Sequence, residues 1–263
     1  MSAPAVFAFN NGLVRTPCHA IVNGLRAVDM GAPSYQTVLA EHKAYVEALE
    51  AAGVAVEILL ALDGYPDSMF VEIPALVFTE GAMIMRPGAQ SRLGEAQEIT
   101  PVFRRRFSRV IDLSGPRFDD GGDILVLKDR LMIGLSDRTN ETGAHALANA
   151  LRALGKNPEI VKTPANVLHF KSDCSLLDET TILSTKRLAI SGMFNGLNVI
   201  LTPEGEERPA NALRINERVF LGSAFPKVRV QLEKAGYQVI PLATSEIAKV
   251  DAGLSCMSLR WWA

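Results

Sequence analysis

Three residue types in this chain can carry covalent chemistry: a thiol, an imidazole and carboxylates. A nucleophilic cysteine needs a polar, accessible setting with an acid or base nearby, whereas a structural thiol sits inert among apolar neighbours. Cys256 best meets the first description. It lies in Asp251-Ala252-Gly253-Leu254-Ser255-Cys256-Met257-Ser258-Leu259, where Gly253 permits unusual backbone geometry just before the thiol. Taken alone, this context fits either a nucleophile or a core cysteine. Cys174 follows Ser172-Asp173 but leads into an apolar strand and reads as a buried small residue, and Cys18 has no context beyond its neighbour His19. His42 and His145 fall within helical patterns, as surface or packed residues. His169 differs: Val167-Leu168-His169-Phe170-Lys171-Ser172 places it at the end of a short strand. There the ring can project from a sheet edge into a site, or be satisfied inside a core.

Phe118-Asp119-Asp120-Gly121-Gly122-Asp123 sets three carboxylates around two glycines immediately before a strand. Such crowding is costly unless a cation or strong donors compensate it, so the segment is either an acidic turn or a cation-recognition site. Tyr65-Pro66-Asp67-Ser68-Met69-Phe70-Val71-Glu72 is a second acidic loop leading into a strand. Arg86-Pro87-Gly88-Ala89-Gln90-Ser91-Arg92 and Ser136-Asp137-Arg138-Thr139-Asn140 place arginines directly after hairpins. A guanidinium there can fork onto a substrate carboxylate or form a surface ion pair.

These groups need a scaffold, and the apolar pattern supplies one. Pairs of short apolar runs joined by tight polar turns recur five times, near Asn11-Gly12, Glu80-Gly81, Lys128-Asp129-Arg130, Asp178-Glu179-Thr180 and Asn216-Glu217-Arg218. Helix-then-strand segments lie between several of them. Tyr35 to Ala52 carries Val38, His42, Tyr45 and Leu49 on one face and precedes the strand from Val54 to Leu60. Thr139 to Leu154, with Thr139 or Asn140 as cap, precedes Ile160-Val161; Ala224 to Ala235 precedes Tyr237-Gln238-Val239-Ile240. Such repetition predicts one closed α/β array of ββαβ-like units in a single domain, residues 1–263, since no unit buries both faces of its sheet alone. An open mixed α/β sheet is the competing arrangement.

Composition narrows the partners. The chain has 263 residues, 48% of them hydrophobic, and 27 Lys plus Arg against 29 Asp plus Glu, a formal net charge of -2 without long charge blocks. Nucleic acid is therefore not an expected partner. Apolar runs are strand-sized, which argues against a membrane span. Met1-Ser2-Ala3-Pro4 lacks the features of a secretory signal, and the 3 cysteines are widely separated, so a reducing, cytoplasmic setting is expected. No Cys/His spacing, phosphate loop or dinucleotide fingerprint points to a metal or cofactor.

In order, these segments resemble the dimethylarginine dimethylaminohydrolase family of the guanidino-group-modifying superfamily, which includes arginine deiminase and amidinotransferases. The markers run from Leu13-Val14-Arg15-Thr16-Pro17 through Pro66-Asp67-Ser68-Met69-Phe70-Val71-Glu72, Arg86-Pro87-Gly88-Ala89, Asp120-Gly121-Gly122-Asp123, Arg138-Thr139-Asn140 and Leu168-His169-Phe170-Lys171-Ser172 to Ser255-Cys256-Met257-Ser258-Leu259-Arg260. The resemblance implies a five-bladed α/β propeller of ββαβ units and a cysteine hydrolase acting on a small amino-acid-like substrate, nominally methylated arginine giving citrulline plus amine. It implies Cys256 as nucleophile, His169 as general acid/base and Asp120 as the carboxylate that orients a guanidinium. Arg92 and Arg138 match positions holding the substrate α-carboxylate, and Asp67 and the Leu25 backbone match those near its α-amino group. Asn23-Gly24-Leu25 resembles the family's mobile lid. It implies no metal and no cofactor, and a homodimer is one candidate assembly.

One departure stands out. Where the family motif reads Phe-Val-Glu-Asp, this chain reads Phe70-Val71-Glu72-Ile73, putting a branched hydrocarbon in place of a second guanidinium-binding carboxylate. Glu72 is expected to help if its loop shifts. Ile73 equally fits a neutral or bulkier head group, such as an amide, ureido or modified amidine, handled by hydrolysis, transfer or cyclisation. A non-catalytic binding protein on the same scaffold is the remaining alternative.

Overall fold

The computed structural model describes residues 4–113, 118–165 and 167–263; Met1-Ser2-Ala3 lies outside them. Among the described residues, fifteen strands form five three-stranded sheets. The middle strands are β1 (Asn11–Arg15), β4 (Gly81–Ile84), β7 (Leu131–Leu135), β10 (Thr181–Ser184) and β13 (Arg218–Gly222). Each pairs antiparallel with an inner strand: β15 (Ser258–Trp261), β3 (Ala75–Phe78), β6 (Ile124–Val126), β9 (Cys174–Leu176) and β12 (Leu213–Ile215), respectively. Each also pairs parallel with an outer strand: β2 (Ala55–Leu59), β5 (Val110–Asp112), β8 (Pro158–Lys162), β11 (Asn198–Leu201) and β14 (Gln238–Leu242). A parallel partner requires a crossover, and a helix makes it every time. These helices are α1 (Tyr35–Ala51), α2 (Glu95–Arg106), α3 (Glu141–Ala153), α4 (Lys186–Ala189) and α5 (Pro226–Lys234). The repeated unit is ββαβ, and the whole is a five-bladed α/β propeller.

Four of the five expected hairpins are present. Asn11-Gly12 instead opens β1, whose antiparallel partner is the C-terminal strand, with Asn11 opposite Trp261 and Val14 opposite Ser258. The last strand thus completes the first blade. Two helices carried no clear sequence signal: α2 has Pro101 in its interior, and α4 is a single turn.

The apolar core is divided into five clusters, each set between adjacent blades. Val14, Tyr45 and Leu49 pack with Ile215 and Phe220; Leu13, Leu259 and Trp261 with Val77 and Phe103; Leu76 and Met83 with Ile133 and Leu147; Leu125 and Met132 with Phe170 and Ile182; Leu177 and Leu183 with Val219 and Leu232. Burying a side chain of this size contributes about 1.5–3 kcal/mol, and here both walls of each burial site come from different repeats. Closure of the ring is therefore a condition of stability, as in other repeat architectures.

Helix α1 shows how the local pattern feeds this packing. Ser34 caps it through the Thr37 N–H, and Val38, His42, Tyr45 and Leu49 are all buried. His42 is 5% exposed with Nε2 unpartnered, and burial lowers its pKa from 6.5 to about 4. Between those values the unfolded chain binds the extra proton. Stability from this residue is present above pH ~6.5 and declines as pH falls toward 4, by about 3 kcal/mol in all. His42→Leu is expected to remove that part of the slope, measured by urea unfolding at about pH 7 and about pH 4.5.

Candidate active site

Loops at one end of the blades converge on a cavity lined by Leu25, Asp67, Phe70, Ile73, Arg92, Asp120, Arg138, Leu168, His169, Val250, Asp251, Ala252 and Cys256. Thiol, imidazole and carboxylate, separated by up to 136 positions in sequence, share this one space. Their supports differ in kind.

Asp120 is 2% exposed and immediately precedes the short turn Gly121–Asp123 that leads into β6. Its Oδ1 accepts the Gly88 N–H at 2.7 Å, and its Oδ2 lies 2.8 Å from Nε2 of His169. The Asp120 N–H donates to Thr139 Oγ1 at 3.0 Å. Asp123, three residues on, serves the same cluster from beneath. Its carboxylate accepts from the hydroxyls of Ser136 and Thr139, both at 2.7 Å, and from the Phe170 N–H at 2.7 Å. The Asp-Gly-Gly-Asp segment is therefore a hydrogen-bonded brace joining three loops. Burial pushes the Asp123 carboxyl above its ordinary pKa, with His169 and its donors pulling it down.

His169 is not at a strand end, as its neighbours suggested. It stands in extended conformation ahead of a short turn, Phe170–Ser172, that its backbone and Asp123 hold in place. The ring lies flat against Gly122: a Cβ there would come within 2.8 Å of His169 Cγ. Any side chain at 122 would displace the imidazole, which explains one glycine of the pair. The other, Gly121, packs against the Glu72 carbonyl, where a Cβ would sit 1.9 Å away.

Cys256 is 7% exposed, within a short turn, Leu254–Met257, that precedes β15. Burial raises its pKa above 9.0; Glu72 raises it further, while the Gly253 backbone, Lys171 and Ser255 lower it. Cys174 and Cys18 lie outside this cavity, both buried, with sulfurs directed at the Phe170 and Tyr65 carbonyls.

The two arginines are placed differently. Arg92 is fixed: its Nε and Nη2 donate to Glu95, and Nη2 also donates to the Asp67 and Phe70 carbonyls. Its Nη1 makes none of these bonds. The Arg138 guanidinium lines the cavity, where its charge pulls down the Asp67 and Asp251 carboxyls, and among the described residues it makes no hydrogen bond or ion pair, a cation available to an anion. Asp67 accepts the Leu25 N–H on both oxygens, at 3.0 and 3.3 Å, and burial raises its pKa. Asp251, in left-handed conformation, accepts the Ala27 N–H at 2.5 Å. Together these carboxylates clasp segment 24–27 over the cavity. Asp251 was not among the residues expected from sequence; its only signal was its place ahead of Ala252-Gly253.

Glu72, expected to help if its loop shifts, does not line this cavity. Its Oε1 pairs with Lys171 at 2.7 Å and Arg260 at 2.9 Å on the other side of the loop. Ile73 does line the cavity and is 2% exposed. The turn that carries them sends these two neighbours to opposite sides.

No family model matches the chain. Among curated relatives, it is 36% identical over 254 residues to the N(G),N(G)-dimethylarginine dimethylaminohydrolase of Pseudomonas aeruginosa, covering 96% of this chain and 100% of the relative. The protein of the same name from Streptomyces coelicolor is 31% identical over 252 residues, 94% of this chain and 95% of the relative. The Pseudomonas aeruginosa enzyme, solved as a cysteine-to-serine mutant complexed with citrulline, superposes with a TM-score of 0.93 at 36% identity, covering 97% of this chain and 100% of that one. The N-terminal domain of ArgZ, covalently bound to a reaction intermediate, shares the fold at 18% identity, with a TM-score of 0.85 over 95% of this chain and 97% of that one.

Proposed function

The chain belongs to the dimethylarginine dimethylaminohydrolase family, and on that premise we propose that it is a cysteine hydrolase cleaving a carbon–nitrogen bond of a methylated arginine or close analogue, giving citrulline plus amine. The observation that carries this reading is the common cavity of Cys256, His169 and Asp120, with a 2.8 Å bond between the last two. The Cys256 thiolate attacks the central guanidino carbon and forms a C–S bond. His169, oriented by Asp120, gives its proton to the departing amine as the C–N bond breaks, leaving a thiouronium. Water then adds to that carbon as His169 takes one of its protons, and the C–S bond breaks to release citrulline and the thiolate while the remaining hydroxyl proton passes to solvent, where the released amine takes it up.

Arg138 supplies the free cation for the substrate α-carboxylate, with Arg92 as a fixed charge behind it. Asp67, Asp251 and the Leu25 backbone serve the α-amino end and the lid. The reading takes residues 1–263 as one catalytic unit acting in the cytoplasm without cofactor, metal or nucleic acid. A homodimer is the assembly to test.

A second reading is favoured by Ile73. The cavity has a hydrocarbon where the family pattern has a carboxylate, and Glu72, tied to Lys171 and Arg260, does not replace it. A charge-assisted hydrogen bond contributes about 1.5–3 kcal/mol, so a cationic guanidinium is held less strongly here than by two carboxylates. A neutral amide, ureido or bulkier amidine head group needs no second anion. The test is a panel of dimethylarginine, arginine and neutral amino-acid amides, with products identified by mass spectrometry, on wild type and Ile73→Asp. The substitution is expected to raise kcat/KM for dimethylarginine by about 10-fold or more, in line with one charge-assisted contact. No change would remove Ile73 as a specificity determinant, and turnover of amides alone would favour the second reading.

A further inference from the structure

Two short turns carry the proposed chemistry: Leu254–Met257, which holds Cys256, and Phe170–Ser172, which follows His169. A single side chain from elsewhere in the ring bonds to both. Asn211 stands half-buried between the short turn Arg208–Ala210 and β12. Its Nδ2 donates to the Lys171 carbonyl at 2.6 Å and to the Ser255 hydroxyl oxygen at 3.1 Å, and its Oδ1 accepts the Ser255 N–H at 3.1 Å. Lys171 is two residues beyond His169, and Ser255 adjoins Cys256. One planar carboxamide thus links the turn of the thiol to the loop of the imidazole.

These partners fix which way the amide points, because a carbonyl only accepts and a backbone N–H only donates. They also decide where the Ser255 proton goes. With an Asn211 N–H on its oxygen, the hydroxyl turns its own proton to another acceptor, and the Cys256 sulfur lies 3.9 Å from that oxygen. A hydroxyl proton directed at sulfur favours thiolate over thiol, and Ser255 is among the groups that lower the Cys256 pKa against its burial. Gly253 belongs to the same arrangement. Its backbone is extended, with φ -134° and ψ -177°, so the unusual geometry that glycine would permit there is not used. What excludes a side chain is Asn211: a Cβ at 253 would lie 2.3 Å from its Oδ1.

We propose that Asn211 is a positioning residue, whose carboxamide holds the Cys256 turn against the His169 loop and aims the Ser255 hydroxyl at the sulfur. Aspartate cannot replace it: a carboxylate still accepts the Ser255 N–H but has no proton for the Lys171 carbonyl or the Ser255 oxygen, and it adds a negative charge beside the thiol. The assignment rests on the reading of Cys256 and His169 as the reacting pair. Alkylation of the thiol separates the two ideas, since it needs no substrate.

The experiment is the rate of Cys256 alkylation by iodoacetamide, at about pH 8 where the thiolate is the minor form, with the modified residue located by peptide mass spectrometry. Asn211→Asp is expected to slow it by about 10-fold, and Asn211→Ala and Ser255→Ala by about 3-fold each. A residue that only packed the turn would give the opposite sign, because loosening a buried thiol exposes it and speeds the reaction. A faster or unaltered rate in the Asn211 variants therefore overturns the proposal. Should both fail to fold, Ser255→Ala, which keeps its backbone N–H on Asn211, decides in the same way. In turnover of the best substrate, Asn211→Asp is expected to lose about 10- to 100-fold in kcat with KM within about 3-fold of wild type. Unaltered kcat also overturns the positioning role. A wild type that turns over no member of the substrate panel defeats the proposed reaction instead, and the alkylation rates then decide the role of Asn211 alone.

Discussion

Cys256→Ser is expected to lower turnover of the best substrate by at least about 10³-fold while leaving the fold intact. A hydroxyl is a far weaker acid than a thiol, and the side chain that Cys256 Sγ contacts is the Ser255 hydroxyl at 3.9 Å, which does not make a strong base. Nothing in this turn would generate an alkoxide. The fold should not notice the change, since serine is smaller and its hydroxyl can keep the contacts the sulfur makes with Ser255 and the Gly253 backbone. Circular dichroism and thermal midpoint should match wild type, and a variant retaining full activity would eliminate Cys256 as nucleophile. The thiol's elevated pKa adds a second check. Because burial and Glu72 favour the protonated form, the thiolate fraction of the free protein grows with pH. Inactivation by iodoacetamide should therefore accelerate up to and beyond pH 9.0, with no plateau below it.

Asp120→Asn is expected to cost about 10²- to 10⁴-fold in kcat with a much smaller change in KM. The carboxylate accepts from both Gly88 and His169, so it fixes the ring's position at the moment a proton is passed to the leaving amine. Asparagine preserves the shape and can keep the Gly88 contact through its carbonyl. Its amide then presents N–H groups to Nε2, which favours the wrong tautomer. Loss in kcat with KM largely kept would mark a group acting on the chemical step. A rise in KM alone would instead make Asp120 a contact for substrate binding and remove it from proton transfer.

Several parts of this architecture were readable one segment at a time. The buried stripe of α1, the Asn140 cap of α3 and four hairpins depend on contacts a few residues apart, and residue type at those spacings specifies them. The candidate site residues were singled out by loops rich in charge and glycine, and Gly121 and Gly122 prove to be sites of close backbone and imidazole approach. Other features had no local signal. Asn11-Gly12 looks like a turn, yet β1 pairs with a strand almost 250 positions away because the first blade has no inner strand of its own until the ring closes. Glu72 and Ile73 are adjacent, yet one meets Lys171 and Arg260 while the other enters the catalytic cavity. Their adjacency in the chain says nothing of what waits on each side of the turn that carries them. Ion pairs and cavity walls are chosen by proximity in the closed ring, where residues from distant blades become neighbours.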